Sequence, residues 1–165
     1  MAQVTLKGNT VHTVGEPPEQ GQDLPDFRLV DQNLNEVGPP DFEGRKLVLN
    51  IFPSIDTEVC AESVRRFNEK AAQRDDTAVL CISKDLPFAQ SRFCGAEGLD
   101  NVVTLSAFRA PEFGKMFGLE MSDGPLASLL ARAVIVADED RRIRHVELVH
   151  EITVEPDYDA ALAAL

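Results

Sequence analysis

Apolar positions follow two rhythms along the chain. Leu47–Phe52 and Thr77–Ser83 are near-continuous apolar runs, as expected of strands covered on both faces. From Cys60 the rhythm changes. Cys60, Val64, Phe67 and Ala71 recur at i, i+4, i+7 and i+11, with Glu62, Arg65, Arg66, Glu69 and Lys70 between them, which predicts an amphipathic helix starting near Thr57. Val4, Leu6, Val11 and Val14 alternate around Lys7-Gly8-Asn9 and predict an N-terminal β-hairpin. Residues 15–25, rich in proline, glycine and polar side chains, form a loop. Short strands follow at Phe27–Val30 and Asn33–Val37, ended by Gly38-Pro39-Pro40.

Beyond Thr77–Ser83 a second helix begins between Ser83 and Pro87, carries Leu86, Ala89 and Phe93 on one side, and is expected to end at Cys94-Gly95. Val102–Leu105 gives a strand, Glu112–Phe117 a short helix closed by Gly118, and Leu129–Ala137 a further strand. Arg141–His150 pairs back after the Asp138-Glu139-Asp140 turn. A closing helix spans Pro156–Leu165, with Tyr158, Ala161, Leu162 and Leu165 at helical spacing. Alternating strands and helices predict an α/β fold with a parallel or mixed central sheet flanked by helices. At 165 residues the chain is read as one domain, large enough for a single core.

Three positions carry candidate chemistry. Cys60 lies in the first turn of its helix, where unpaired amides and the positive end of the dipole favour an anion and hence a thiolate. Thr57 is placed to cap that helix, its hydroxyl accepting from the Cys60 amide. The bland alternative makes Cys60 one more small core residue. Arg132 interrupts an apolar strand, and a guanidinium stays charged, so it either meets an anion or snorkels to solvent. Cys81, in the middle of an apolar run, reads as a structural thiol, and Cys94 lies at a helix end of the opposite polarity to that of Cys60.

Pro53, Thr57 and Cys60 stand as Pro-x-x-x-Thr-x-x-Cys, which resembles the active-site signature of the peroxiredoxins. With Asn50–Cys60, Leu80–Ser83 and Asp85–Cys94 in order, the chain closely resembles the bacterial thiol peroxidase subgroup of the atypical 2-Cys type, nearly end to end. The resemblance implies a thioredoxin-like fold with a hairpin extension and peroxidatic attack of Cys60 on a hydroperoxide. It also implies a sulfenic acid resolved by Cys94 as an intramolecular disulfide, recycling by thioredoxin, and a homodimer. Thr57 would orient the substrate, Arg132 would stabilise thiolate and peroxide, and Pro53 would shield the sulfur. No metal or organic cofactor is implied. Joining two thiols on different helices predicts partial unwinding of both, eased by Gly95 and Gly98.

Composition narrows the alternatives. A net charge of −12 disfavours nucleic acid or an anionic membrane as partner. The N-terminus lacks a signal-peptide core, no stretch approaches a membrane span, and a cytoplasmic location follows as the default. A cysteine hydrolase needs a histidine base, and only His12, His145 and His150 exist, away from the Cys60 segment. A dithiol oxidoreductase lacks its Cys-x-x-Cys. A non-enzymatic peroxide-sensing relay would use the same cysteines and stands as the alternative to an enzyme.

Overall fold

The computed structural model describes residues 1–71 and 73–165. In chain order the elements are β1 (Gln3–Leu6), β2 (Asn9–His12), β3 (Leu29–Val30), β4 (Glu36–Val37), β5 (Lys46–Ile51), α1 (Glu58–Ala71), β6 (Thr77–Ser83), α2 (Pro87–Glu97), β7 (Val103–Ser106), α3 (Pro111–Met116), β8 (Ala133–Ala137), β9 (Ile143–Leu148) and α4 (Tyr158–Ala163). Strands β3 to β9 form one sheet in the order β4-β3-β7-β6-β5-β8-β9, and β1 pairs with β2 alone. The central β5–β6–β7 block is parallel and the remaining neighbours are antiparallel. This is the mixed sheet flanked by helices that the patterning predicts.

The continuous apolar runs reflect two buried faces. Leu47, Leu49, Ile51, Leu80, Ile82, Ala133 and Ile135 pack on one side of the sheet with Phe113 and Phe117. Their neighbours Val48, Phe52, Val79, Cys81, Val134 and Val136 pack on the other with Cys60, Val64 and Phe67. The period of two thus sorts every second residue to an opposite core. Cys60 therefore heads the buried stripe of α1 directly over β5, β6 and β8.

Several boundaries differ from expectation, the strands expected over Phe27–Val30 and Asn33–Val37 shrinking to Leu29–Val30 and Glu36–Val37. The strand expected over Leu129–Ala137 starts only at Ala133, because the preceding residues leave β5 and pair elsewhere. Ala131 N–H donates to Leu119 O (2.8 Å) and Met121 N–H to Leu129 O (2.9 Å). Ala131 joins Val4, Val11, Met121 and Ile152 in a third cluster under the hairpin. Arg132 thus sits at the entry to β8 rather than within it. Helix α2 runs past Cys94-Gly95 to Glu97, and Gly98 takes the left-handed cap (φ +66°) with its N–H bonded to Cys94 O. Cys94 lies in the last turn, not at its end. The final strand and closing helix are also shorter than predicted, at Ile143–Leu148 and Tyr158–Ala163.

The hairpin is fastened to the segment after β9 by backbone bonds from Thr5 N–H to His150 O (2.6 Å) and from Ile152 N–H to Thr5 O (2.8 Å), and its turn by one carboxylate. Glu151 accepts from Thr153 N–H (3.0 Å) and hydroxyl (2.7 Å), from Gly8 N–H (2.9 Å) and Lys7 N–H (3.2 Å), and from the Thr5 hydroxyl (3.0 Å). These donors, the Thr153 and Gly8 amides foremost, pull its pKa down to about 2. A depressed carboxylate contributes stability that is complete above its unfolded pKa near 4.5 and is lost as pH falls toward 2. Protection of the Lys7 and Gly8 amides, their exchange measured against the intrinsic rate at each pH, should therefore fall as the pH drops through this window. Glu151→Gln should show low protection of these amides already at neutral pH and little further change on acidification.

Candidate active site

The end of β5 delivers the chain through buried Phe52 and Pro53 into a turn, Ser54–Thr57, from which α1 rises. The first helical bond runs from Ala61 N–H to Thr57 O (2.9 Å), which leaves the amides of Glu58, Val59 and Cys60 outside the ladder. The Thr57 hydroxyl does not cap them. It donates to Ser54 O (3.0 Å), the carbonyl that also receives Thr57 N–H, so the expected bond to the Cys60 amide is replaced by a turn contact. The hydroxyl remains exposed at the mouth of a cavity of about 520 Å³.

Cys60 is fully buried, and Arg132 is only 2% exposed. Arg132 Nη2 donates to Cys60 Sγ (3.2 Å), and Nε donates to Ile152 O (2.9 Å). Nη1 is buried with no acceptor among the described residues, although Arg132 lines the cavity with Pro53, Thr57, Val59 and Ile152. The snorkelling alternative is thereby excluded: the guanidinium is buried and meets sulfur.

The Cys60 backbone is held from below. Ser63 Oγ donates to Cys60 O (2.7 Å), and Asn50 Nδ2 at the end of β5 donates to Ser63 Oγ (3.1 Å). Asp85, in the link between β6 and α2, reaches the turn before α1, accepting from Ser54 Oγ (2.8 Å) and Ile55 N–H (2.6 Å). Sequence reasoning passed over Asn50, Ser63 and Asp85. Asn50 had a readable signal, a polar side chain in an apolar run.

The other two thiols have different surroundings. Cys94, 5% exposed, borders a separate cavity of about 310 Å³ lined by Gln32, Ser91, Leu99, Asp100 and Val102. Burial, then the Asp100 charge, pushes its pKa up, so the thiol is kept protonated chiefly by its surroundings rather than by the helix end. Complete burial drives Cys81 up to about 12 despite the Asn50 amide 3.7 Å away. All three cysteines are free. The geometry therefore offers one sulfur facing a guanidinium beside an open cavity and a second, neutral one on the neighbouring helix, which is what a thiol reaction with an electrophilic oxygen requires.

That pairing of sheet and sulfur site is the one built by thiol-based peroxide reductases. The redoxin family model matches residues 19–162. The chain is 58% identical over 165 residues to the thiol peroxidase of Corynebacterium glutamicum, spanning 100% of this chain and 99% of that protein. It is 54% identical to the thiol peroxidase of Mycobacterium tuberculosis at the same coverage. Among solved structures, a peroxiredoxin-like protein from Aquifex aeolicus superposes with a TM-score of 0.91 at 37% identity, covering 99% of this chain and 95% of that one. The chain belongs to the redoxin family, and within it to the peroxiredoxin-type peroxidases. Among the described residues no helix is long and apolar enough to cross a membrane.

The burial contrast predicts the order of thiol labelling. In native protein treated with iodoacetamide at pH 8, peptide mass spectrometry should find Cys81 unmodified until denaturant is added. Labelling of Cys81 in the native protein as fast as Cys94 would contradict its placement.

Proposed function

We propose that Cys60 is the peroxidatic residue of this enzyme and Cys94 its resolving partner. The observation that carries the reading is the buried Arg132–Cys60 contact at 3.2 Å with Nη1 left free beside the cavity. The Cys60 thiolate attacks the terminal oxygen of a hydroperoxide. The O–O bond breaks, water or an alcohol leaves after taking a proton, and sulfur becomes a sulfenic acid. Arg132 stabilises the thiolate through Nη2 and, through Nη1, the charge that develops on the departing oxygen. The exposed Thr57 hydroxyl orients the peroxide, and buried Pro53 keeps bulk water from the sulfur. Leu6, Val59, Leu126 and Ile152 on the cavity wall favour organic hydroperoxides alongside hydrogen peroxide.

The sulfenic acid then condenses with the Cys94 thiol, forming the Cys60–Cys94 disulfide and releasing water. A dithiol reductant, thioredoxin in this reading, reduces the bridge and is itself oxidised to a disulfide. Because Cys60 is buried against Arg132 while Cys94 borders a separate cavity on α2, the first turn of α1 and the last turn of α2 must open to bring them together. Exposed Leu86, Phe88 and Phe108 offer an apolar face for a homodimer, and three free cysteines suit the reducing cytoplasm.

Intact mass after one equivalent of peroxide should show loss of two hydrogens, with peptide mapping joining Cys60 to Cys94. Cys60→Ser should abolish turnover. Cys94→Ser should retain one round of peroxide reduction and fail to recycle with thioredoxin and its reductase. Loss of the single round in both variants would overturn the assignment. Arg132→Lys, which keeps the charge but not the fork, should slow Cys60 oxidation by about 10- to 100-fold, measured by stopped flow.

A further inference from the structure

Asp85 touches neither sulfur nor the cavity over Arg132, yet it stands between the two segments that must move. Its Oδ1 accepts from Ser54 Oγ (2.8 Å), and its Oδ2 from Ile55 N–H (2.6 Å) and Ser83 Oγ (2.6 Å). Ser83 Oγ in turn receives Asp85 N–H (3.3 Å) and Gln90 Nε2 (3.2 Å), and the Ser106 hydroxyl donates to Asp85 O. Gln90 is fully buried on α2, also donates to Leu105 O (3.1 Å), and lies one turn ahead of Cys94 on the same helix face. On the other side, Ser54 O holds both the amide and the hydroxyl of Thr57. One carboxylate thus connects the turn that starts the Cys60 helix to the helix that carries Cys94.

We infer that Asp85 is a positioning residue that makes the two redox segments open as one unit, and so sets how the Cys60 sulfenic acid is partitioned. This rests on the Cys60–Cys94 assignment proposed above. Closed, the latch keeps Thr57 and Cys60 in register with Arg132, where peroxide reacts. Open, it frees both turns, and the sulfenic acid meets the Cys94 thiol, with water leaving. A sulfenate held closed instead attacks a second hydroperoxide, takes its oxygen, releases water or an alcohol, and becomes an irreversible sulfinate. The ion pairs between the segments are weaker. Arg92–Asp56 is 3.4 Å long between side chains 69% and 63% exposed, and Arg65–Glu97 joins side chains 38% and 36% exposed, so both are screened by salt. The Asp85 bonds are short, charge-assisted and half-buried.

The test is rapid-quench mass spectrometry of the reduced protein with peroxide, following sulfenic acid, bridge and sulfinate separately. Asp85→Ala should form the bridge about tenfold faster or more, with correspondingly less sulfinate at high peroxide, while Cys60 oxidation slows by a much smaller factor. Asp85→Asn, which keeps an acceptor for the Ile55 amide, should lie between. Ile143→Ala, which removes a core side chain from β9 on the opposite face of the sheet, should leave the partition unchanged. A bridge rate in Asp85→Ala within twofold of wild type, or an equal shift in Ile143→Ala, would overturn the latch. Should Asp85→Ala fail to fold, native-state hydrogen exchange of the wild type decides. Amides of Thr57–Ala61 and Phe93–Glu97 should share one opening with the same denaturant dependence, and two independent openings would sink the inference. Absence of any Cys60–Cys94 bridge in wild type would instead defeat the cysteine assignment and leave the exchange test of the latch intact.

Discussion

A guanidinium that is 2% exposed constrains everything around it. Arg132 cannot shed its charge, and each unpaired N–H in a dry interior costs about 1–3 kcal/mol. The chain meets this demand unevenly. Nε has the Ile152 carbonyl and Nη2 has Cys60 Sγ, while Nη1 has nothing. Placing the sulfur and the carbonyl accounts for much of the architecture. α1 must start over the end of β5 so that Cys60 heads its stripe. The segment after β9 must fold back so that Ile152 faces β8, and Glu151 fixes that return by gripping the hairpin turn at Lys7 and Gly8. The hairpin, which lies outside the main sheet, is in this sense part of the wall that keeps Arg132 dry.

How legible this was depended on whether a residue's role was local. β5 and β6 were readable almost to the residue, because burial on both faces of a sheet leaves an uninterrupted apolar run that a half-exposed strand does not. α1 was readable from its stripe. Leu129–Ala131 looked like strand for the wrong reason: these residues are apolar because they pack under the hairpin, a partner far away in sequence. The end of α2 was misplaced by a choice between two glycines. Only the pairing of Cys94 O with the amides of Gly98 and Leu99 selects the left-handed position. In the site, Arg132 was legible because a charge in an apolar run is anomalous. Asn50 is anomalous in the same way, and its amide supports the α1 turn through Ser63. Asp85 carried no such mark, since an acidic residue in a loop ordinarily faces water. Its role emerges only when Ser54 and Ser83 converge on it.

The three thiols show how position decides chemistry for one side chain. Cys81 has burial without a cation and is driven to about 12; Cys94 has burial and an acidic neighbour in Asp100. Cys60 is as buried as Cys81, yet it alone receives a guanidinium N–H and begins a helix rather than ending one. Burial by itself silences a thiol, as it does Cys81, and what sets Cys60 apart is its contact with a fixed charge.

Two demands on the protein conflict. In the proposed cycle, reaction with peroxide needs Cys60 held against Arg132, and joining it to Cys94 needs the same turn released. A fully rigid site would protect the reactive geometry but strand the sulfenic acid, whereas a loose one would lose the Arg132 contact on which the reaction depends. The ties between the segments are of two kinds. Hydrogen bonds from Ser54, Ile55 and Ser83 converge on one carboxylate, while the Ile55 side chain and Cys60 are buried in the cluster of Val64 and Phe67 against which Phe93 of α2 packs. Water can replace the polar ties bond for bond on opening, and the buried Ile55 side chain sets the apolar cost of releasing the turn. The core beneath α1 can then stay packed while its first turn comes and goes.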